Sequence, residues 1–211
     1  MGYNRGMVKV VIFDIGGVLV ENSYFPLLCQ LAEQYQIDLA KLQSFATPFF
    51  DQVMLGGMNE VELFDQISRH FDLSESGEEL DIKVGELFRP IAPVWDYVKQ
   101  LHGRYRLAIL SDLGNGWISR HEREFDIEKY FEHLFYSSRL KMRKPDPRFF
   151  QHLLATMGVT PAECVFIDDK PDNIAAAQNL GMNGIIYKDS TQLRQELAEL
   201  GVQLTEPRAG V

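Results

Sequence analysis

The segment Val8-Lys-Val-Val-Ile-Phe-Asp14 restricts the fold more than any other stretch of this chain. It is a short, β-branched apolar run that ends on a carboxylate and then on Gly16-Gly17. Such a run reads as a strand buried on both faces, which belongs inside a parallel sheet. Leu107-Ala-Ile-Leu-Ser111 and Cys164-Val-Phe-Ile-Asp168 repeat the pattern, and Leu134–Ser137 and Gly184–Tyr187 are weaker versions of it. Helical signals lie between these runs. Thr160-Pro-Ala-Glu163 is a capping box with Pro at the first helical position, and it must be short because a strand begins at once. Asn173–Leu180 is rich in helix formers and stops at Gly181, while Ser190–Leu200 carries Leu193, Leu197 and Leu200 before a Gly201 stop. Strands alternating with helices predict an α/β fold, a parallel sheet covered on both faces.

The region 21–90 breaks the alternation. Leu27, Leu28, Leu31 and Tyr35, then Leu39, Leu42, Phe45, Phe49 and Phe50, then Val61, Phe64, Ile67 and Phe71 recur at helical spacing with no strand between them. The expected architecture is therefore an α/β core of residues 1–20 and 91–211 interrupted by an all-helical domain of residues 21–90. The charge follows the same division. The chain carries a net charge of −9, with 13 acidic and 4 basic residues in 21–90 and equal numbers of each sign elsewhere. That balance argues against nucleic acid and against an anionic membrane surface, both of which require basic patches. No apolar run reaches the roughly 18 residues of a membrane span, and Lys9 and Asp14 interrupt the best candidate. Cys29 and Cys164 form neither a disulfide framework nor a metal motif. These features predict a cytoplasmic protein, a monomer or homodimer.

Ligand sites in open α/β sheets gather at the carboxyl ends of the strands. Asp14, Ser111 and the pair Asp168-Asp169 fall there, and Lys144 follows the weaker strand near Phe135. Each alone has a plain explanation: a turn, a helix cap or a solvated side chain. Two adjacent carboxylates are more distinctive, because they repel unless a cation or a donor compensates. Taken together the residues suit phosphoryl transfer. A carboxylate can act as nucleophile, carboxylates bind Mg²⁺, and Ser and Lys can hold phosphoryl oxygens and neutralise developing charge.

In these residues the sequence resembles the haloacid dehalogenase (HAD) superfamily, subfamily I, whose Rossmann-like core carries a helical cap inserted after the first strand. The resemblance rests on Phe13-Asp-Ile-Gly-Gly-Val-Leu19, Ile109-Leu-Ser-Asp112, Arg143-Lys-Pro-Asp-Pro147 and Phe166-Ile-Asp-Asp-Lys-Pro-Asp-Asn173, in the family's order. It implies Asp14 as nucleophile, Ser111 and Lys144 as phosphoryl-binding groups with Asp112 beside them, and Mg²⁺ held by Asp14, the Gly16 carbonyl and Asp169, with Asp168 ligating or adjacent. One position departs from the superfamily's phosphatases. They usually place a second Asp two residues after the nucleophile as general acid and base, and here Gly16 stands there. General acid–base help is worth about 10²–10⁴-fold, so its loss favours substrates with good leaving groups such as a sugar 1-phosphate. The sequence resembles a branch containing bacterial glucose-1-phosphate phosphatases, which share this Gly. Asp112 or Glu21 is a candidate to supply some proton transfer, and Asn22, Tyr24 and the loop Leu55-Gly-Gly-Met58 are candidate substrate contacts. The expected activity is a Mg²⁺-dependent phosphatase of small phosphorylated metabolites. The acidity of 21–90 points to monophosphates with neutral or cationic leaving groups. The alternatives are a haloacid dehalogenase-type hydrolase, which needs no metal, and a weakened binding or regulatory protein of the same fold.

Overall fold

A computed structural model describes residues 7–204. Among these, five strands form one fully parallel sheet in the order β3-β2-β1-β4-β5. The strands are β1 Val10–Phe13, β2 Arg106–Ser111, β3 His133–Tyr136, β4 Cys164–Asp168 and β5 Asn183–Ile186. Every run read as a strand from the sequence is one, including the two weaker ones. The chain starts at the centre with β1, moves outward through β2 and β3, then returns to the other side of β1 for β4 and β5. That reversal leaves a crevice beside the carboxyl end of β1, where α/β sheets bind ligands.

The central strands are buried on both faces, as their unbroken apolar composition requires. Val11, Phe13, Ile109 and Ile167 point to one face, and Val10, Ile12, Leu110 and Phe166 to the other. The second face is covered by helices α9 Pro147–Met157 and α10 Pro171–Asn179, through Phe149, Phe150, Leu153 and Ile174. On the first face lie α5 Ala92–Leu101, α6 Asn115–Glu124, and α11 Ser190–Glu199, with short α7 Ile127–Tyr130 and α8 Ser137–Leu140 flanking β3. Thr160 and Glu163 form the expected reciprocal cap, and the helix they start is a single 3₁₀ turn, Pro161–Glu163, cut short by β4.

Between β1 and α5 run only helices: α1 Tyr24–Gln34, α2 Leu39–Met54, α3 Glu60–Phe71 and α4 Gly77–Glu86. Their starts follow local chemistry. Asn59 with Glu62, and Ser76 with Glu79, form capping boxes, each satisfying orphan amides at a helix start. The chain leaves the sheet layer and returns to it side by side. Glu21 N–H donates to Arg89 O at 2.9 Å, and Ile91 N–H donates to Leu19 O at 2.9 Å. The apolar cluster on the first sheet face continues without a break into Leu27, Leu63, Phe64 and Leu80 of these helices.

Polar contacts fasten the helices over the carboxyl end of the sheet. The buried Glu60 carboxylate, at the start of α3, accepts from the N–H groups of Gly116 (2.8 Å) and Trp117 (3.1 Å) in the first turn of α6. A negative side chain there satisfies two orphan donors and complements the helix dipole. Only glycine leaves room for it: a Cβ on Gly114 or Gly116 would lie 2.3 or 2.7 Å from a Glu60 oxygen. Asp81 accepts from the indole N–H of Trp117 at 2.9 Å and pairs with Arg120 at 3.2 Å. No helix among the described residues is long and apolar enough to cross a membrane.

Candidate active site

Asp14 follows β1 directly, Asp168 ends β4 and Asp169 follows it, while Ser111 ends β2. The parallel register that aligns Phe13 with Ile109 and Ile167 brings these strand ends together. Lys144 arrives from the loop between α8 and α9. Five polar residues that are up to 155 positions apart in sequence thus share one site.

Lys144 is the hub. It is buried, and its ammonium lies 3.0 Å from Asp14 Oδ1 and 2.6 Å from Asp168 Oδ2. Its backbone N–H donates to Asp112 Oδ1 at 3.0 Å, and Asp112 also lies 3.6 Å from the Arg143 guanidinium. Asp112 therefore anchors the loop that delivers Lys144. Burial works against the Lys144 charge, but the three carboxylates Asp14, Asp168 and Asp112 outweigh it and keep the group an ammonium.

The two carboxylates beside Lys144 behave differently. Burial works to raise Asp168, but the Lys144 ammonium and the hydrogen bonds win, and its pKa falls below the ordinary value. Its Oδ1 accepts from Lys170 N–H (2.8 Å) and Asn173 Nδ2 (3.0 Å). Its Oδ2 accepts from Lys144 Nζ (2.6 Å) and Asn173 Nδ2 (2.9 Å). All four acceptor sites of this carboxylate are engaged. Asp14 Oδ1 accepts from Ile15 N–H at 2.7 Å and lies 3.0 Å from the Lys144 ammonium, with the Ser111 hydroxyl in reach. Burial, only partly offset by Lys144 and reinforced by the charge of Asp168, pushes Asp14 up to about 7.

Asp169 completes the group. Its Oδ2 accepts from Asn22 Nδ2 at 3.2 Å, while its Oδ1 is buried without a partner. Oxygens of Asp14, Asp168 and Asp169 all lie within 4.8 Å of one another. A buried carboxylate oxygen with no donor, in a cluster of hard oxygen ligands, fits a small divalent cation. Gly17 makes the approach possible. It adopts φ +77°, and a Cβ there would lie 2.4 Å from Asp169 Oδ2 and 2.9 Å from Asn22 Nδ2.

A cavity of about 100 Å³ opens from Asp14, Gly16, Asp112 and Lys144 toward the inserted helices, where Glu21, Asn22, Tyr24, Phe50, Met54, Phe88, Leu113, Trp117 and His121 line it. Of the candidate substrate contacts, Asn22 and Tyr24 stand at this cavity, and Asn22 also holds Asp169. The loop Leu55–Met58 does not: Lys141 Nζ donates to Gly56 O at 2.9 Å, which ties the loop to α8. Nothing in the sequence signals Trp117 and His121 as cavity residues: with Ile118 they form the apolar face of α6, which reads simply as core. Phe50 reads there simply as helical core, although it also faces the cavity.

This fold and site belong to a recognisable group. A family model described as haloacid dehalogenase-like hydrolase matches residues 8–181, and the chain belongs to that family. It is 29% identical over 199 residues to the sesquiterpene phosphatase of Aspergillus oryzae, covering 91% of this chain and 96% of that protein. It is 33% identical over 92 residues to flavin mononucleotide hydrolase 1 of Arabidopsis thaliana. That match spans 44% of this chain and only 38% of that relative. A HAD family enzyme of Bacteroides thetaiotaomicron, solved with magnesium and inorganic phosphate, shares the fold with a TM-score of 0.68. The identity is 24%, over 86% of this chain and 94% of that one.

Proposed function

We propose that this protein is a Mg²⁺-dependent phosphatase of small phosphate monoesters that works through a phospho-aspartate on Asp14. The observation that carries this reading is the buried cluster of Asp14, Lys144, Asp168 and Asp169, with one Asp169 oxygen lacking any donor. Relatives named as phosphatases support it. So does the reading of the helices in 21–90 as a subfamily I cap lying over the strand ends.

In this mechanism Asp14 attacks phosphorus, the bond to the leaving oxygen breaks and that oxygen takes a proton from solvent, and water then hydrolyses the phospho-aspartate to return the carboxylate and release phosphate. Lys144 and Ser111 hold the phosphoryl oxygens and offset charge as it develops. Asp14, the Gly16 carbonyl and Asp169 are the residues that would hold Mg²⁺, while Asp168, its acceptor sites filled, orients Lys144. The metal would supply neutralising charge to the phosphoryl group. Gly16 provides no proton for the leaving group, so esters with good leaving groups are favoured. A dehalogenase needs no metal cluster, and the unpartnered Asp169 oxygen counts against that reading.

The test is phosphate release from a panel of monophosphates, glucose 1-phosphate among them, with and without Mg²⁺. Release that requires Mg²⁺ is expected; halide release from 2-haloacids without metal would instead establish the dehalogenase. Gly17→Ala tests the metal site separately. The new methyl displaces Asp169, and a roughly 10–100-fold rise in the Mg²⁺ concentration needed for half-maximal activity is expected, as for lost support of a ligand.

A further inference from the structure

The wall of the cavity opposite the carboxylates is built of rings. Tyr24 and Phe50 stack with centroids 4.4 Å apart, and Trp117 lies 6.2 and 6.3 Å from them. Phe88 adds a further face and packs on the imidazole of His121, 4.3 Å between centroids. The lysines that line the cavity, Lys144 and Lys170, come from the strand-end loops beside the carboxylates, and the ring wall includes neither Lys nor Arg. His121 does not replace them. Burial, helped by the neighbouring Arg120 charge, pushes its pKa down to about 4, so it is a neutral imidazole at pH 7. The cavity is also small, well under the roughly 300–1,000 Å³ typical of sites for drug-sized ligands. Hydroxyls turned toward these rings would lose hydrogen bonds to water that the rings cannot replace, the polar side chains Glu21, Asn22, Ser23 and Asp112 lining other parts of the cavity.

We propose that the leaving group of the natural substrate is a small, uncharged, predominantly apolar alcohol of about the size of one ring, seated against Tyr24, Phe50, Phe88 and Trp117. This rests on the phosphatase reading and narrows it away from sugar phosphates. Two buried polar atoms in this wall have no partner, Tyr24 Oη and His121 Nδ1. They provide hydrogen bonds for a single uncharged substituent on that alcohol. The wall thus discriminates by shape and desolvation among monoesters of similar leaving-group ability.

The experiment compares benzyl phosphate with glycerol 1-phosphate and glucose 1-phosphate in the presence of Mg²⁺. Benzyl and glycerol esters both release primary alcohols, so their intrinsic reactivities differ little and the ratio of kcat/KM reads the pocket. Burying a ring against the wall should favour benzyl phosphate at least about tenfold, given about 0.8 kcal/mol for each buried methylene equivalent. Phe50 is only half-buried, and Phe50→Ser should lower the ratio of kcat/KM for benzyl phosphate over glycerol 1-phosphate about tenfold. Benzyl alcohol should inhibit competitively where glycerol does not, which needs no variant. A preference for glycerol 1-phosphate over benzyl phosphate, or a benzyl-to-glycerol ratio that Phe50→Ser leaves unchanged, would overturn this inference and leave the phosphatase reading standing. Absence of Mg²⁺-dependent release from every ester would overturn the phosphatase reading itself and this inference with it.

Discussion

Asp14→Asn is expected to reduce phosphate release by at least about 10³-fold, because an amide cannot attack phosphorus and the rest of the site has no second nucleophile in the same place. The substitution is nearly isosteric. Asn keeps an oxygen that can accept from Ile15 N–H, which Asp14 Oδ1 does at 2.7 Å, and Lys144 keeps its contact with Asp168 at 2.6 Å. Circular dichroism and the urea midpoint should therefore stay close to those of the parent. Loss of turnover with an intact fold assigns the chemistry to this carboxylate. Retained Mg²⁺-dependent turnover would place the nucleophile elsewhere and refute the phospho-aspartate.

Lys144→Met should damage both activity and stability. The side chain is 1% exposed and compensates two buried carboxylates. Removing one partner of a buried ion pair leaves uncompensated charge and typically costs about 3–5 kcal/mol, which urea unfolding at pH 7 without metal should read. The pH dependence has a definite sign. Asp14 already sits above its ordinary value because of burial, and without Lys144 it sits higher still. Parent and variant then differ in protons bound at Asp14 only where the parent's carboxyl ionises, so the Asp14 part of the deficit grows as pH rises through about 7 and shrinks on acidification below it. Mg²⁺ should recover part of the lost stability, since it brings positive charge to the same carboxylates. A variant as stable as the parent at pH 7 would mean that Asp14 and Asp168 do not need this ammonium, contrary to its role as hub.

Much of this site is legible in the sequence because strand ends in a parallel sheet are local signals. Each apolar run announces its own strand, and the residue that ends it must emerge at the carboxyl edge. Asp14, Ser111 and Asp168 could therefore be placed at one edge before any contact was known. The helical insertion is equally readable, since apolar spacing changes after Val20 and changes back after Pro90. Trp117 is different. Nothing in Asn115–Glu124 marks a wall of the cavity. That role arises only when the buried Glu60, 56 residues away from Gly116, caps the start of α6 and Asp81 takes the indole N–H. Phe50 reads as helical core because it completes an apolar stripe, and only its packing against Tyr24 shows that it also lines the cavity.

The acidity of residues 21–90 changes meaning in the same way. Composition places the −9 in the inserted helices and predicts a region poor in anion-binding groups, whereas the structure shows where several of those carboxylates go. Glu60 caps α6, Asp81 holds Trp117 and Arg120, and Asp51 pairs with Arg143 of the Lys144 loop at 2.5 Å. They fasten the helices to the core rather than face the cavity, whose wall is aromatic. The sequence alone determined the parallel sheet, the run of helices between its first and second strands and the polar residues at the strand ends, because periodicity and strand termini are encoded within a few residues. Only the tertiary structure decided that Asp168 is saturated, that Asp169 keeps a free oxygen beside Gly17 and that rings close the far wall, because hydrogen-bond valence and ring packing depend on neighbours distant in the chain.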